Sequence, residues 1–176
     1  MTTTNSIYGE LNVIPHWYAL HTKSRHEKAV NFKLNEKGVT NYLPLNTVYR
    51  RWSDRYKEVK QPLFSCYVFV HINLKDRLPV LQTDGAVCLV AFNGKPATIP
   101  DDQIKAIKQI LDKKQDVQHA DLFTPGKKVK VVRGPLKGLD GTLIINKNNH
   151  RLVVAIESIK QAISVEIDPR ELELIN

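Results

Sequence analysis

The chain has 176 residues and a net charge of +8, with 42% hydrophobic and 25% charged residues, which is ordinary for a soluble protein and gives room for one good core or two small ones. No apolar run approaches the ~18–20 residues of a membrane span. "MTTTNSIYGELNVIP" lacks the basic start and apolar centre of a secretory signal, so residues 1–14 read as a flexible lead-in and the expected location is cytoplasmic. "HWYALH" (His16–His21) is compact and apolar and predicts a buried strand. Ser24 and Glu27 then form an S-x-x-E capping-box pattern. Ala29, Val30 and Leu34 recur at helical spacing up to Gly38, predicting a helix over about 25–37.

"VTNYLPLNTVY", the charged turn "RRWSDRYK" and "KEVKQPLFSCYVFVHI" read as a long hairpin with a basic tip at 50–57. "LKDRLPVLQT" suggests a short helix against which Pro79 argues. "AVCLVAF" is an apolar strand and "NGKPATIP" a turn. Asp101 then starts a helix striped by Ile104, Ile107, Ile110 and Leu111. "DKKQDVQHAD" (Asp112–Asp121) is polar and reads as a linker. Beyond it, "KKVKVV", "DGTLIIN", "HRLVVAIES", "AISVEID" and "LELIN" are short strands at the close spacing of a small barrel. Their β-branched residues, such as Val129, Val131, Val153, Val154, Ile163 and Val165, favour strand over helix. The expected organisation is therefore α+β: a lead-in at 1–14, a mixed domain at 15–111, a linker at 112–122 and a barrel at 123–176.

Lys and Arg outnumber Asp and Glu by 17 to 11 in residues 1–120 and by 9 to 7 in 121–176. A basic balance favours polyanionic partners. Cys66 and Cys88 are too few and too far apart for a disulfide framework or a metal site, and the six histidines lack metal-binding spacing. No nucleophile elbow, P-loop or paired metal carboxylates occur. Neither catalysis, a cofactor nor a metal is expected.

"FTPGKKVKVVRGPLKGLDGTL" resembles the KOW motif, the first hairpin of SH3-like barrels in transcription and ribosomal proteins. Gly134-Pro135 suits a tight turn, and Gly138 and Gly141 allow a bulged return into the next strand. "WYALHTKSRHEKAV", "YLP", "QPLFSCYVFV" and "IPDDQI" follow the order of the NusG N-terminal (NGN) domain. From about His16 to Ile175 the chain resembles a bacterial NusG-family transcription elongation factor. Phe64-Ser65-Cys66-Tyr67 replaces the Phe-Pro-Gly-Tyr turn of the general factor, which is closer to specialised, RfaH-like antitermination paralogs serving surface-polysaccharide operons.

The resemblance implies an NGN domain that docks on the β′ clamp helices of RNA polymerase through an apolar hollow, here His21, Tyr67, Phe69 and Leu89. Aromatics at the positions of His21 and Leu89 are common among paralogs, so the chain departs there. Taken from the residues alone, Tyr67 and Phe69 suit a core face as well as an interface. The resemblance also implies proximity to the non-template DNA strand. Arg50, Arg51, Arg55, Lys57 and Lys60, interleaved with Trp52 and Tyr56, fit single-stranded nucleic acid. So do Lys23, Arg25, His26 and Lys28 at the first helix start. The alternative for the hairpin is a solvated tip partly neutralised by Asp54 and Glu58. Lys127, Lys128, Lys130, Arg133 and Lys137 of the barrel carry the same two readings. The KOW barrel is implied to recruit a small-subunit ribosomal protein or Rho, and the chain is expected to be a monomer. The other readings are a general NusG factor and a ribosome-associated, RNA-binding KOW protein.

Overall fold

The computed structural model describes residues 14–52, 55–113, 117–120, 125–146 and 149–175. Of the expected lead-in, only Ile14 is among them. The chain divides into two compact units, the first ending at Asp101 and the second beginning at Asp102.

The first unit is built on β1 (His16–Thr22), which runs antiparallel between β5 (Tyr67–Ile72) and β6 (Ala86–Leu89). β2 (Asn41–Tyr42) extends the sheet beyond β5, and β9 (Thr98–Ile99) pairs with the start of β1. The register runs from His16 opposite Ile72 to His21 opposite Tyr67. On the other side of β1, Leu20 faces Leu89 and His21 faces Cys88.

Paired residues in an antiparallel ladder point to the same side. One face therefore carries Tyr18, Leu20, Val68, Val70, Ile72 and Leu89. It forms the core with Val30 and Leu34 of α1 (Glu27–Glu36), Leu74, and Val80 of α2 (Arg77–Leu81). The i, i+4 spacing of Val30 and Leu34 puts both on one side of α1. Gly38, at φ 70, closes that helix. The capping box does not form, because His26 is the N-cap and the Glu27 side chain is engaged elsewhere. Pro79 sits in the first turn of α2, where the backbone N–H groups have no helical acceptor, and so the short helix survives it.

β3 (Leu45–Arg51) and β4 (Tyr56–Pro62) pair in full register as a separate two-stranded sheet, a ribbon distinct from the main sheet. β7 (Ala91–Phe92) and β8 (Lys95–Pro96) make a second small hairpin. Its turn, Asn93-Gly94, has both residues at positive φ, as a two-residue hairpin turn requires.

The second unit holds α3 (Asp101–Asp112), with Ile104, Ala106, Ile107 and Ile110 buried, and a six-stranded antiparallel sheet. Its strands are β10 (Gln118–Ala120), β11 (Lys127–Val131), β12 (Asp140–Asn146), β13 (Asn149–Ile156), β14 (Gln161–Glu166) and β15 (Leu172–Leu174), in the order β10-β14-β13-β12-β11-β15. This is the small β-barrel architecture the strand spacing predicts. Two boundaries differ from the sequence reading. α3 groups with the second unit, and part of the expected linker, Gln118–Ala120, pairs with Ala162–Ser164 as an edge strand while Val117 is buried. No helix among the described residues is long and apolar enough to cross a membrane.

Candidate functional site

The turn Phe64-Ser65-Cys66-Tyr67 decides what the end of the main sheet presents. Cys66 has φ 66, a left-handed backbone that a residue with a Cβ adopts at a cost. It is tied on both sides. Its N–H donates to Oε1 of the buried Glu27 at 2.7 Å, and its carbonyl accepts from Thr22 N at 2.8 Å. The tie explains the lost capping box, since the carboxylate that would have turned back on its own helix reaches across to the turn before β5 instead. Tyr67 is thereby delivered opposite His21, with ring centroids 5.4 Å apart and the planes tilted by 53°. Both rings are half-exposed, and Cys88, on the other side of His21, is exposed.

The other two expected members of the hollow lie elsewhere. Phe69 shares the face of Tyr67 but is fully buried, edge-on to Phe64 at 5.8 Å and stacked with Tyr42 at 6.5 Å. It is a packing residue. Leu89 points to the opposite face, opposite Leu20 in the helix-covered core, so it does not belong to this corner. On β6 it is Cys88 that lies opposite His21. A residue one step along a strand lies on the other face, and it is the register against His21 that puts Cys88 and not Leu89 on this side.

The basic residues form two neighbouring groups. Lys23, Arg25 and His26 occupy the exposed turn before α1, where Lys23 N donates to Gly85 O and Arg25 has φ 63. Lys28 of α1 donates to the Lys60 carbonyl at 2.6 Å, which joins this turn to the base of the β3–β4 ribbon. On the ribbon, Arg50 donates to Gln61 Oε1 and Lys57 lies over the Trp52 ring, 5.1 Å from its centroid. Arg51 and Arg55 are exposed. Asp54 lies outside the described residues. Nearby, the Lys33 ammonium donates to Asp84 and holds its carboxyl below the usual range.

In the second unit, the glycine-rich loop closes on its own hydrophobic residues. Gly134 and Gly138 have φ 80 and 94. Gly138 N donates to Val131 O and Val131 N to Leu139 O, both at 2.8 Å, while Leu136 and Leu139 are buried beneath. Gln109 of α3 donates to the carbonyls of Pro135 and Lys137. Gly141 answers a different need. A Cβ there would lie 2.6 Å from the Val153 carbonyl oxygen. Lys127, Lys128, Lys130, Arg133, Pro135 and Lys137 are exposed around this frame. Among the described residues, no cluster of three or more His, Cys, Asp or Glu is placed to hold a metal.

Residues 15–108 match the family described as "Transcription termination factor nusG". The chain is 25% identical to the transcription termination/antitermination protein NusG of Lactococcus lactis, over 89% of this chain and 91% of that one. It is 27% identical to the protein of the same name from Thermus thermophilus, over 86% and 94%. A solved structure of Thermotoga maritima NusG aligns with a TM-score of 0.55 at 22% identity, covering 92% of this chain and 98% of that one. That last likeness bears on fold alone.

Proposed function

The chain belongs to the NusG family of transcription termination and antitermination factors, and on that premise we propose that it is an elongation regulator of the specialised antiterminator type. In this reading the corner of His21, Tyr67 and Cys88 docks on the β′ clamp helices of RNA polymerase. The exposed cations of the α1 turn and the ribbon, Lys23, Arg25, His26, Arg51 and Arg55 with Arg50 and Lys57 behind them, follow the non-template DNA strand. The KOW barrel recruits a small-subunit ribosomal protein or Rho.

The observation that carries the docking is the His21–Tyr67 ring pair, half-exposed at the end of the central strands on a turn tied by Glu27. Rings fixed at a surface are anchor material, because little side-chain freedom is left to lose on binding. The specialised assignment rests on Cys66 standing where the general factor has glycine. Cys66 holds a left-handed backbone without being a glycine.

Tyr67→Ala should weaken binding to a β′ clamp-helix fragment by about 2 kcal/mol or more, as the loss of a hot-spot aromatic does. Its melting temperature should stay near that of the wild type. Phe69→Ala is the contrast, expected to lose about 3–5 kcal/mol of stability as a core truncation. Unchanged affinity in Tyr67→Ala would move the docking surface away from this corner. Replacing Arg50, Arg51 and Arg55 together by alanine should lower the salt dependence of DNA binding by about two units of slope, with clamp-helix affinity unaltered.

A further inference from the structure

The ribbon of β3 and β4 has two unlike sides. Cross-strand pairs put Asn46, Val48, Arg50, Lys57, Val59 and Gln61 on one and Thr47, Tyr49, Arg51, Tyr56, Glu58 and Lys60 on the other. The first side leans inward, with Asn46, Val48, Val59 and Gln61 half-buried, and the Trp52 ring near its tip is occupied by the Lys57 ammonium. Every residue named on the second side is exposed, and its two tyrosines are 71% and 72% accessible. Nothing in the packing of the ribbon requires two phenol rings there.

We infer that this outer side of the ribbon is a stacking platform for single-stranded DNA, with Tyr49 and Tyr56 taking bases and Arg51 and Lys60 taking phosphates. The inference rests on the preceding reading, in which the chain works beside an exposed DNA strand. Tyr49 pairs with Glu58 and Tyr56 with Arg51, so the two rings are diagonal neighbours. That spacing is about 7–8 Å on a two-stranded ribbon, within reach of aromatic side chains. The charges are laid out along the same axis. Lys60 lies at the base of the ribbon and Arg51 at its tip, with Glu58 beside Tyr49 between them. A carboxylate in the middle repels phosphate there and leaves the ring faces to bases, while the cations at either end fix the backbone. Stacking with flanking cations is how single strands are held with little sequence preference. The two rings extend the interface beyond the arginines, which supply phosphate contacts alone.

The test measures fluorescence anisotropy of a labelled oligothymidylate with the full chain across a salt series. Tyr49→Ala/Tyr56→Ala should weaken binding by about tenfold or more, the scale of losing base–aromatic stacking. The salt slope should not change, since no phosphate partner is removed. Tyr49→Phe/Tyr56→Phe should keep the affinity, because a ring without its hydroxyl still stacks. Melting temperatures should be level throughout, as both residues are exposed. Wild-type affinity in the double alanine variant would overturn the platform, and so would an equal loss on blunt duplex DNA. Tighter binding of an oligouridylate than of the DNA would overturn the assignment to DNA. The clamp-helix fragment is assayed separately with the same proteins. Tyrosine-dependent DNA binding in a chain that ignores the clamp helices would sustain the platform and sink the polymerase reading.

Discussion

At Cys66 the backbone turns left-handed on a residue with a side chain; at Gly134 and Gly138 it does so on residues without one. A left-handed L-residue costs about 1–2 kcal/mol, a cost glycine escapes. In the first unit the conformation is held by a tether, the Glu27 carboxylate on Cys66 N and Thr22 N on the Cys66 carbonyl. In the second unit composition achieves the same thing, and the hydrogen bonds from Gln109 are an addition. A tethered turn fixes the residue that follows it, here Tyr67, but depends on a distant side chain. A glycine turn is self-sufficient and positions nothing through its own side chain.

The largest effect expected from this contrast is at the tether. Glu27→Ala strips a charged acceptor from the Cys66 amide and should destabilise the chain by about 1.5–3 kcal/mol, measured by urea unfolding. Glu27→Gln, which keeps an acceptor, should lose less. A loss no greater than that of an ordinary surface substitution would break the comparison. Gly138→Ala comes next. Nothing lies within 4 Å of the added Cβ, so its cost of about 1–2 kcal/mol is backbone strain alone. Cys66→Gly should be smaller and of opposite sign. Relief of about 1–2 kcal/mol of strain is offset by about 0.4–1 kcal/mol of chain entropy, for a net gain of about 0–1.6 kcal/mol. A clear loss would mean that the Cys66 side chain itself contributes.

The smallest effect is a third turn device, at the end of the barrel. Asp168 accepts from Arg170 N and from its guanidinium, and these bonds lower its carboxyl to about 2. A depressed carboxyl stabilises the fold above its unfolded value of 3.8 and loses that contribution as pH falls through 2. Asp168→Asn should therefore flatten acid unfolding slightly between those limits. The group is exposed and its pairing is screened.

The barrel strands were legible because their β-branched residues favour strand over helix and turn signals separate them at close spacing. The first unit was less legible where one residue had two plausible partners. Ser24 and Glu27 spell a capping box, but the carboxylate is taken by an amide 39 positions away. Leu89 and Cys88 differ by one step in an all-apolar strand, and hydrophobicity cannot assign parity there. Only the register against His21 does. Gln118–Ala120 looks like a linker because an edge strand can be polar on both sides. The basic residues and tyrosines of the hairpin were visible in the sequence. Their division into an inner and an outer side was not, because it depends on which pairs lean inward.

Among the described residues β3 and β4 pair with no other strand, in strict one-to-one pairs from Leu45 with Pro62 to Arg51 with Tyr56, and the bond from Lys28 to the Lys60 carbonyl holds them near the base. An opposed pair can be removed or inserted near the tip without shifting any strand of the main sheet or exposing any of its core. The ribbon is in that sense a detachable fitting, whose length and outer residues a lineage can revise while the body that carries it is inherited unchanged. Divergence among relatives of this chain should gather on the ribbon first, and a ribbon transplanted pair for pair should carry the proposed single-strand binding with it.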